Sequence, residues 1–240
     1  MILHDENGIK IAGLKIADHI LARMGWLLPL LTVIFSMSIH AMSGHARAIP
    51  FFISESDYPG IERWIFTTGL AANGVILCII TFRFRHLFQN SEKVNLSRLS
   101  FFAGTTTGSA LTVLAFANMY DALVLHCIVA IIVFGGGILW GVSSHLLFES
   151  TEQLGKRLRR IGLAIAAFGF ITMNCILMFY ISTHREELNN VDQSILLLDH
   201  IQSAINYAAP AEYLLFLGLV ITLASFELDL KAPVAPQSND

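Results

Sequence analysis

The side chains able to do chemistry are few in this 240-residue sequence, and most of them interrupt long apolar runs. Glu212 stands amid Ala208, Ala209, Ala211 and Leu214. A carboxylate in such surroundings must be protonated, paired or wet. His126, five residues beyond Asp121, has the chemistry of a general base or metal ligand, with Glu212 or Asp121 to orient it. These three are the catalytic candidates. Glu62, His40 and His200 join them as candidate ligand-binding groups. Each has a plainer alternative. His126 suits a hydrogen bond to a neighbouring helix, Glu62 a first-turn carboxylate favoured by a helix N-terminus, and His40 and His200 a solvated interface. Asn73 and Asn174 suit interhelical hydrogen bonds. Metal binding would require histidine and carboxylate groups from different spans to converge. The sequence permits this without demanding it, so no metal and no cofactor is assigned. Gly-x-Ser-x-Gly, His-Glu-x-x-His, Walker-type and Cys-x-x-Cys patterns are all missing. Cys78, Cys127 and Cys175 lie in apolar runs as small hydrophobes.

The elements that must hold these groups follow from composition. The chain is 55% hydrophobic and 14% charged, with a mean hydropathy of +0.63. Globular chains carry roughly 25% charged residues, so a soluble surface is not available to it. That excludes a soluble enzyme, a nucleic-acid binder, a disulfide-stapled secreted domain and a disordered chain. A net charge of −3 implies no polyanionic partner. Six runs reach the roughly 20 apolar residues that a spanning helix needs: residues 24–43, 62–82, 99–118, 122–147, 161–182 and 207–228. The expected fold is an all-α bundle of six transmembrane helices over 24–230, preceded by a segment of residues 1–23 and followed by a disordered tail of 231–240. Of the fifteen lysines and arginines, only Arg47, Arg63 and Arg185 fall on one side. The remainder, including Lys156, Arg157, Arg159 and Arg160, fall on the other, which places both termini in the cytoplasm by the positive-inside rule. All five tyrosines lie near the opposite, outer ends.

His40, Glu62, His126, Asn174 and Glu212 all fall within about 12 Å of the outer boundary at 1.5 Å per residue. Helical phase adds to the pattern. Thr32, Ser36, His40 and Ser43 share one face of the first span, and Glu62, Gly69 and Asn73 one face of the second. An outer-half polar pocket is therefore expected. His200 and Glu212, twelve positions apart, converge only if Pro210 bends the chain. Gly104/Gly108 and Gly137/Gly141 predict a tight hairpin of the third and fourth spans. Residues 9–21 suit a short interfacial helix, and Asn190 to Gln193 a helix start leading into Ile195, Leu198, Ile201 and Ile205.

Pro50, Ile53-Ser54, Pro59, Glu62 and Phe66 resemble a Pro-x-Ile-Ser segment followed by a Pro-Glu-type helix start. That pattern is found in the damage-regulated autophagy modulator (DRAM)/FRAG/Sfk-like family of six-span membrane proteins, related to proteins that remodel the lipid of glycosylphosphatidylinositol anchors. Here Gly60-Ile61 separates Pro59 from Glu62. The His126-led fourth span and Glu212-Tyr213 in the sixth are further, weaker matches. The resemblance implies membrane lipids as partners and either lipid binding with regulation or lipid remodelling by acyl transfer or hydrolysis. Three functions are thus expected in order: lipid binding in the outer pocket, a lipid-modifying enzyme using His126 and Glu212, and a proton-coupled transporter using Glu212. The Lys156–Arg160 segment is the candidate contact for anionic lipid or a cytoplasmic protein; no nucleic-acid partner is expected. The chain is expected to be an integral multi-pass membrane protein, its compartment open.

Overall fold

The computed structural model describes residues 2–5, 8–11, 13–89, 91–148, 153–185 and 194–231. Six long helices dominate it: α1 (Asp18–Met42), α2 (Ile61–Leu87), α3 (Val94–Leu114), α4 (Leu123–Leu147), α5 (Gln153–Thr183) and α7 (Gln202–Lys231), with the short α6 (Ser194–His200) before the last. All of the six but α3 are long and apolar enough to cross a membrane. α3 is diluted by serines and threonines, yet its 21 residues reach about 31 Å at 1.5 Å each. Thr105, Thr107 and Thr112 donate their hydroxyls to carbonyls of their own helix at 2.7, 2.8 and 3.1 Å. Those donors are thereby satisfied within the helix. The architecture is that of an α-helical, multi-pass membrane protein.

The N-terminal segment departs from expectation. Instead of an interfacial helix, β1 (Ile2–Asp5), β2 (Gly8–Ile11) and β3 (Leu14–Ala17) form an antiparallel meander, and helix starts only at Asp18. The pairing Ile9↔Ile16, Lys10↔Lys15 and Ile11↔Leu14 sets like against like. A period of two was present in these residues, and Gly13, at φ +88°, supplies the left-handed turn that a helix through them would not tolerate. Ile9 is fully buried beside Leu21, Phe84, Trp140 and Phe226. The sheet therefore stoppers one end of the bundle, here called the terminal end. The opposite, loop end carries Gly44 to Gly60.

Close packing runs through glycines, and the paired motifs serve more than the hairpin alone. A Cβ on Gly108 would lie 2.7 Å from the Gly74 carbonyl oxygen of α2, and one on Gly141 2.7 Å from Leu163 of α5. Gly108 and Gly141 thus face third helices, while a Cβ on Gly104 would meet both Thr81 of α2 and, at 2.5 Å, Trp140 of α4. Gly136 makes the near contact to α3, 2.6 Å from Thr107 Oγ1 by the same measure. The hairpin forms, but α3 is wedged between α2 and α4 and must offer small residues to both. The tightest seam joins α5 and α7, where a Cβ on Gly218 would fall 2.4 Å from the Ala166 nitrogen.

At the terminal end several basic residues turn inward. Arg83 donates to both carboxylate oxygens of Asp18 at 2.8 Å. Arg159 pairs with Asp229 at 2.6 Å and lies 4.4 Å from the Phe226 ring centroid. Glu227 accepts from Arg23 and from Trp26 Nε1. Arg159 is therefore withdrawn from the basic segment expected to meet headgroups: it has no exposed surface, whereas Arg157 and Arg160 are exposed. Helix continues through Pro210, and the interruption in the last helical stretch falls at Ile201 instead. The Asn190–Gln193 helix start and the tail beyond Lys231 lie outside the described residues.

Candidate functional site

The bundle encloses an axial cavity of about 120 Å³. Five helices wall it: Pro29 and Val33 come from α1, Leu70 and Asn73 from α2, Thr107 and Leu111 from α3, His126 and Trp140 from α4, and Glu212 and Phe216 from α7. α5 adds nothing to the lining. Phase explains the selection, since Asn73 and Leu77, four apart, share a face of α2, as do His126, Ala130, Val133 and Gly137 on α4. The wall is largely apolar with isolated polar atoms. Two of these, Asn73 Oδ1 and Trp140 Nε1, are buried without a hydrogen-bond partner. One accepts and the other donates, and buried polar atoms in this condition call for a partner that the described residues do not supply.

Ile53 and Ser54 close the cavity at the loop end. Their short 3₁₀ turn, Ile53–Ser56, is fastened from several sides. Glu212 Oε2 accepts the Ile53 N–H at 2.7 Å, and Tyr213 donates its hydroxyl to the Phe51 carbonyl. Glu55 accepts the Phe52 N–H at 2.9 Å and pairs with Arg47 at 3.0 Å. Arg47 continues to Asp199 at 3.1 Å, and Tyr120 donates to the Glu55 carbonyl at 2.7 Å. Burial pushes the Glu55 carboxyl above its ordinary range, opposed by the Phe52 N–H and the Arg47 charge. Burial likewise raises Asp57 to about 6, against the nearby Arg63 and the Thr67 hydroxyl. Ser54 donates to Met119 Sδ at 3.4 Å.

Beside this turn a second cluster joins α1 to α2. His45 Nδ1 lies 2.6 Å from Glu62 Oε1, and His40 Nδ1 lies 3.5 Å from the same oxygen. His40 and Glu62 are each 1% exposed, and the ring of Tyr58 packs 4.9 Å from His45 and 5.7 Å from His40. His40 Nδ1 and Glu62 Oε2 have no hydrogen-bond partner.

The sequence-selected groups therefore divide. His126 and Glu212 share the cavity wall, but each serves a backbone group. His126 Nδ1 donates to the Ala117 carbonyl at 2.7 Å, in the connection between α3 and α4, while Glu212 holds Ile53. Among the described residues no hydrogen bond or ion pair links the two. His40 and Glu62 meet each other in the adjoining cluster. Asp121 does not belong to either: its side chain is 74% exposed, tied to Asn118 at 2.7 Å and Arg63 at 3.4 Å. The Asn118 amide, followed by Arg63, holds its carboxyl below the usual range. His200 is exposed and does not converge on Glu212. Arg47, His45, Glu55 and Trp140 are the residues that sequence reasoning passed over. The first three sit in or beside a loop, where charge reads as solvated, and an indole within an apolar run carries no polar signal of its own. The run Ser54-Glu55-Ser56-Asp57 between two spans was the available signal.

The family model for the Frag1/DRAM/Sfk1/Cwh43P N-terminal domain matches residues 19–232. The chain belongs to that family, and the match begins at the start of α1 and ends just after α7. Comparison with curated proteins and with solved structures gave no match.

Proposed function

We propose that this Frag1/DRAM-family chain is a six-span membrane protein that holds the apolar chain of a membrane lipid in its axial cavity. Its loop end faces away from the cytoplasm in this reading. The observation that carries the proposal is the cavity itself, greasy along its length yet furnished with the unpartnered acceptor of Asn73 and donor of Trp140. An engineered cavity of about 150 Å³ lined only by hydrocarbon stays dry and binds benzene. A volume of about 120 Å³ accordingly suits a ring or a stretch of alkyl chain. The two polar atoms favour an occupant with an oxygen function within that apolar stretch. A headgroup is disfavoured, because the lining offers few charges. The lipid-modifying alternative has less support, since His126 and Glu212 are engaged with backbone groups instead of with each other.

Native mass spectrometry of the chain extracted with its surrounding lipid tests this. Wild type retains a stoichiometric lipid, and Gly137→Leu, which places bulk where a Cβ meets nothing closer than 3.6 Å, loses it while keeping its helical circular dichroism. Equal lipid retention by the two proteins would refute the reading.

A further inference from the structure

We propose that His40, His45 and Glu62 form a binding site for a divalent transition-metal ion, with zinc the best fit to the donor set. Two imidazoles and one carboxylate are a recurrent zinc donor set, and three protein ligands leave a fourth position for water or substrate. One ligand atom from each residue lies within 4.8 Å of the others. At bond lengths of about 2.0–2.1 Å, neighbouring atoms of a tetrahedral site stand about 3.4 Å apart. His40 Nδ1 is already 3.5 Å from Glu62 Oε1. His45 Nδ1, at 2.6 Å, has to withdraw by less than about 1 Å. It is the residue free to do so, being partly exposed on the loop that follows α1.

The second observation is independent of the spacing. His40 Nδ1 and Glu62 Oε2 are buried with no hydrogen-bond partner. Native interiors rarely leave such atoms unmatched, and a cation accepted by both imidazole and carboxylate satisfies them together. The surroundings fix the ligands in place. Phe51 meets the His40 ring edge-on at 5.1 Å, Tyr58 packs on both histidines, and the backbone of Gly60 lies against the carboxylate. A Cβ at Gly60 would fall 2.4 Å from Glu62 Oε2. Imidazole and carboxylate bind a metal only in their deprotonated forms, so binding weakens as pH falls. Bound there, it ties the end of α1 to the start of α2 across the loop that closes the cavity. The site uses none of the cavity-lining residues and stands or falls apart from the lipid reading.

The test is metal uptake by the full chain in detergent, stripped with a chelator and titrated with Co²⁺ or Zn²⁺ alone. The expected result is one Co²⁺ per chain, with the visible absorption of low-coordinate cobalt, displaced by Zn²⁺. Glu62→Gln and His45→Ala lower the affinity by about 100-fold or more, whereas His184→Ala, stacked on Tyr180 away from the cluster, does not. Should Glu62→Gln fail to fold, the partly exposed His45 supplies the decisive variant. Failure of the stripped wild type to take up ion at roughly 100 μM, far above the dissociation constants of built zinc sites, overturns the proposal. So does uptake undiminished by His45→Ala, which marks an adventitious ion only.

Discussion

Replacing Glu212 distinguishes an acceptor that seats the loop from a charge that does chemistry. Glu212 accepts the N–H of Ile53, and both residues are buried. Glu212→Ala strands that donor, and an unsatisfied buried N–H costs about 1–3 kcal/mol. Glu212→Gln keeps an oxygen at the same reach, removes the ionisable group, and is expected to cost less than about 0.5 kcal/mol. The reporter is Ser54→Cys, a near-isosteric change at a side chain that is 9% exposed and donates only to Met119 Sδ. Its maleimide labelling rate follows loop opening when closure is fast. At 1.4 kcal/mol per decade, the alanine variant should label about 5- to 140-fold faster than the reporter alone, and the glutamine variant within about 2-fold of it. Equal rates in the alanine variant and the parent would show that Glu212 does not anchor the loop. A glutamine variant as fast as alanine would show that charge, and not an acceptor oxygen, is what the site requires.

Breaking the Arg159–Asp229 pair with Asp229→Asn leaves a fully buried guanidinium uncompensated and should cost about 3–5 kcal/mol in detergent unfolding, while Arg159→Met with Asp229→Leu recovers most of it. Gly218→Ala forces backbone apart where a Cβ would meet the Ala166 nitrogen at 2.4 Å, and a loss of about 1–3 kcal/mol is expected. Gly137→Ala, with nothing nearer than 3.6 Å, should be neutral or stabilising by up to about 1 kcal/mol, and melting temperatures compare the two. Asp57 has its carboxyl raised from 3.8 to about 6, so the folded state binds its proton more tightly than the unfolded chain does. Its contribution to stability is complete below the lower value and is lost as pH rises through the upper one. The stability of Asp57→Asn relative to wild type should therefore climb between pH 4 and 7; a flat difference would contradict the burial argument.

The long apolar runs were legible because a spanning helix needs only length and hydropathy, and all six runs became helices. Height along a helix was legible too: Glu212, early in its run, lies next to the loop end, where it holds Ile53. Azimuth was not. Asp121 and His200 were candidates by residue type and by their place near the helix ends, yet both side chains are exposed. Phase did better where helices are long, as with Asn73 on α2, which faces the cavity. The N-terminal meander was missed because short apolar alternation with lysines fits two periods, and burial of Ile9 by distant aromatic residues decided between them. His45 was invisible for a related reason: only the fold brings a loop imidazole back onto a carboxylate seventeen positions away.

The axial hollow has a stopper at each end, the 3₁₀ turn above and the aromatic cluster backed by the strands below. Traffic along the bundle axis is thereby blocked while both are seated. An occupant of the kind proposed would have to be enclosed as the helices assemble, or to slip between two of them from the side. In either case residence is governed by a barrier more than by binding strength, and an occupant acquired during biogenesis would survive purification on a timescale that dilution does not shorten.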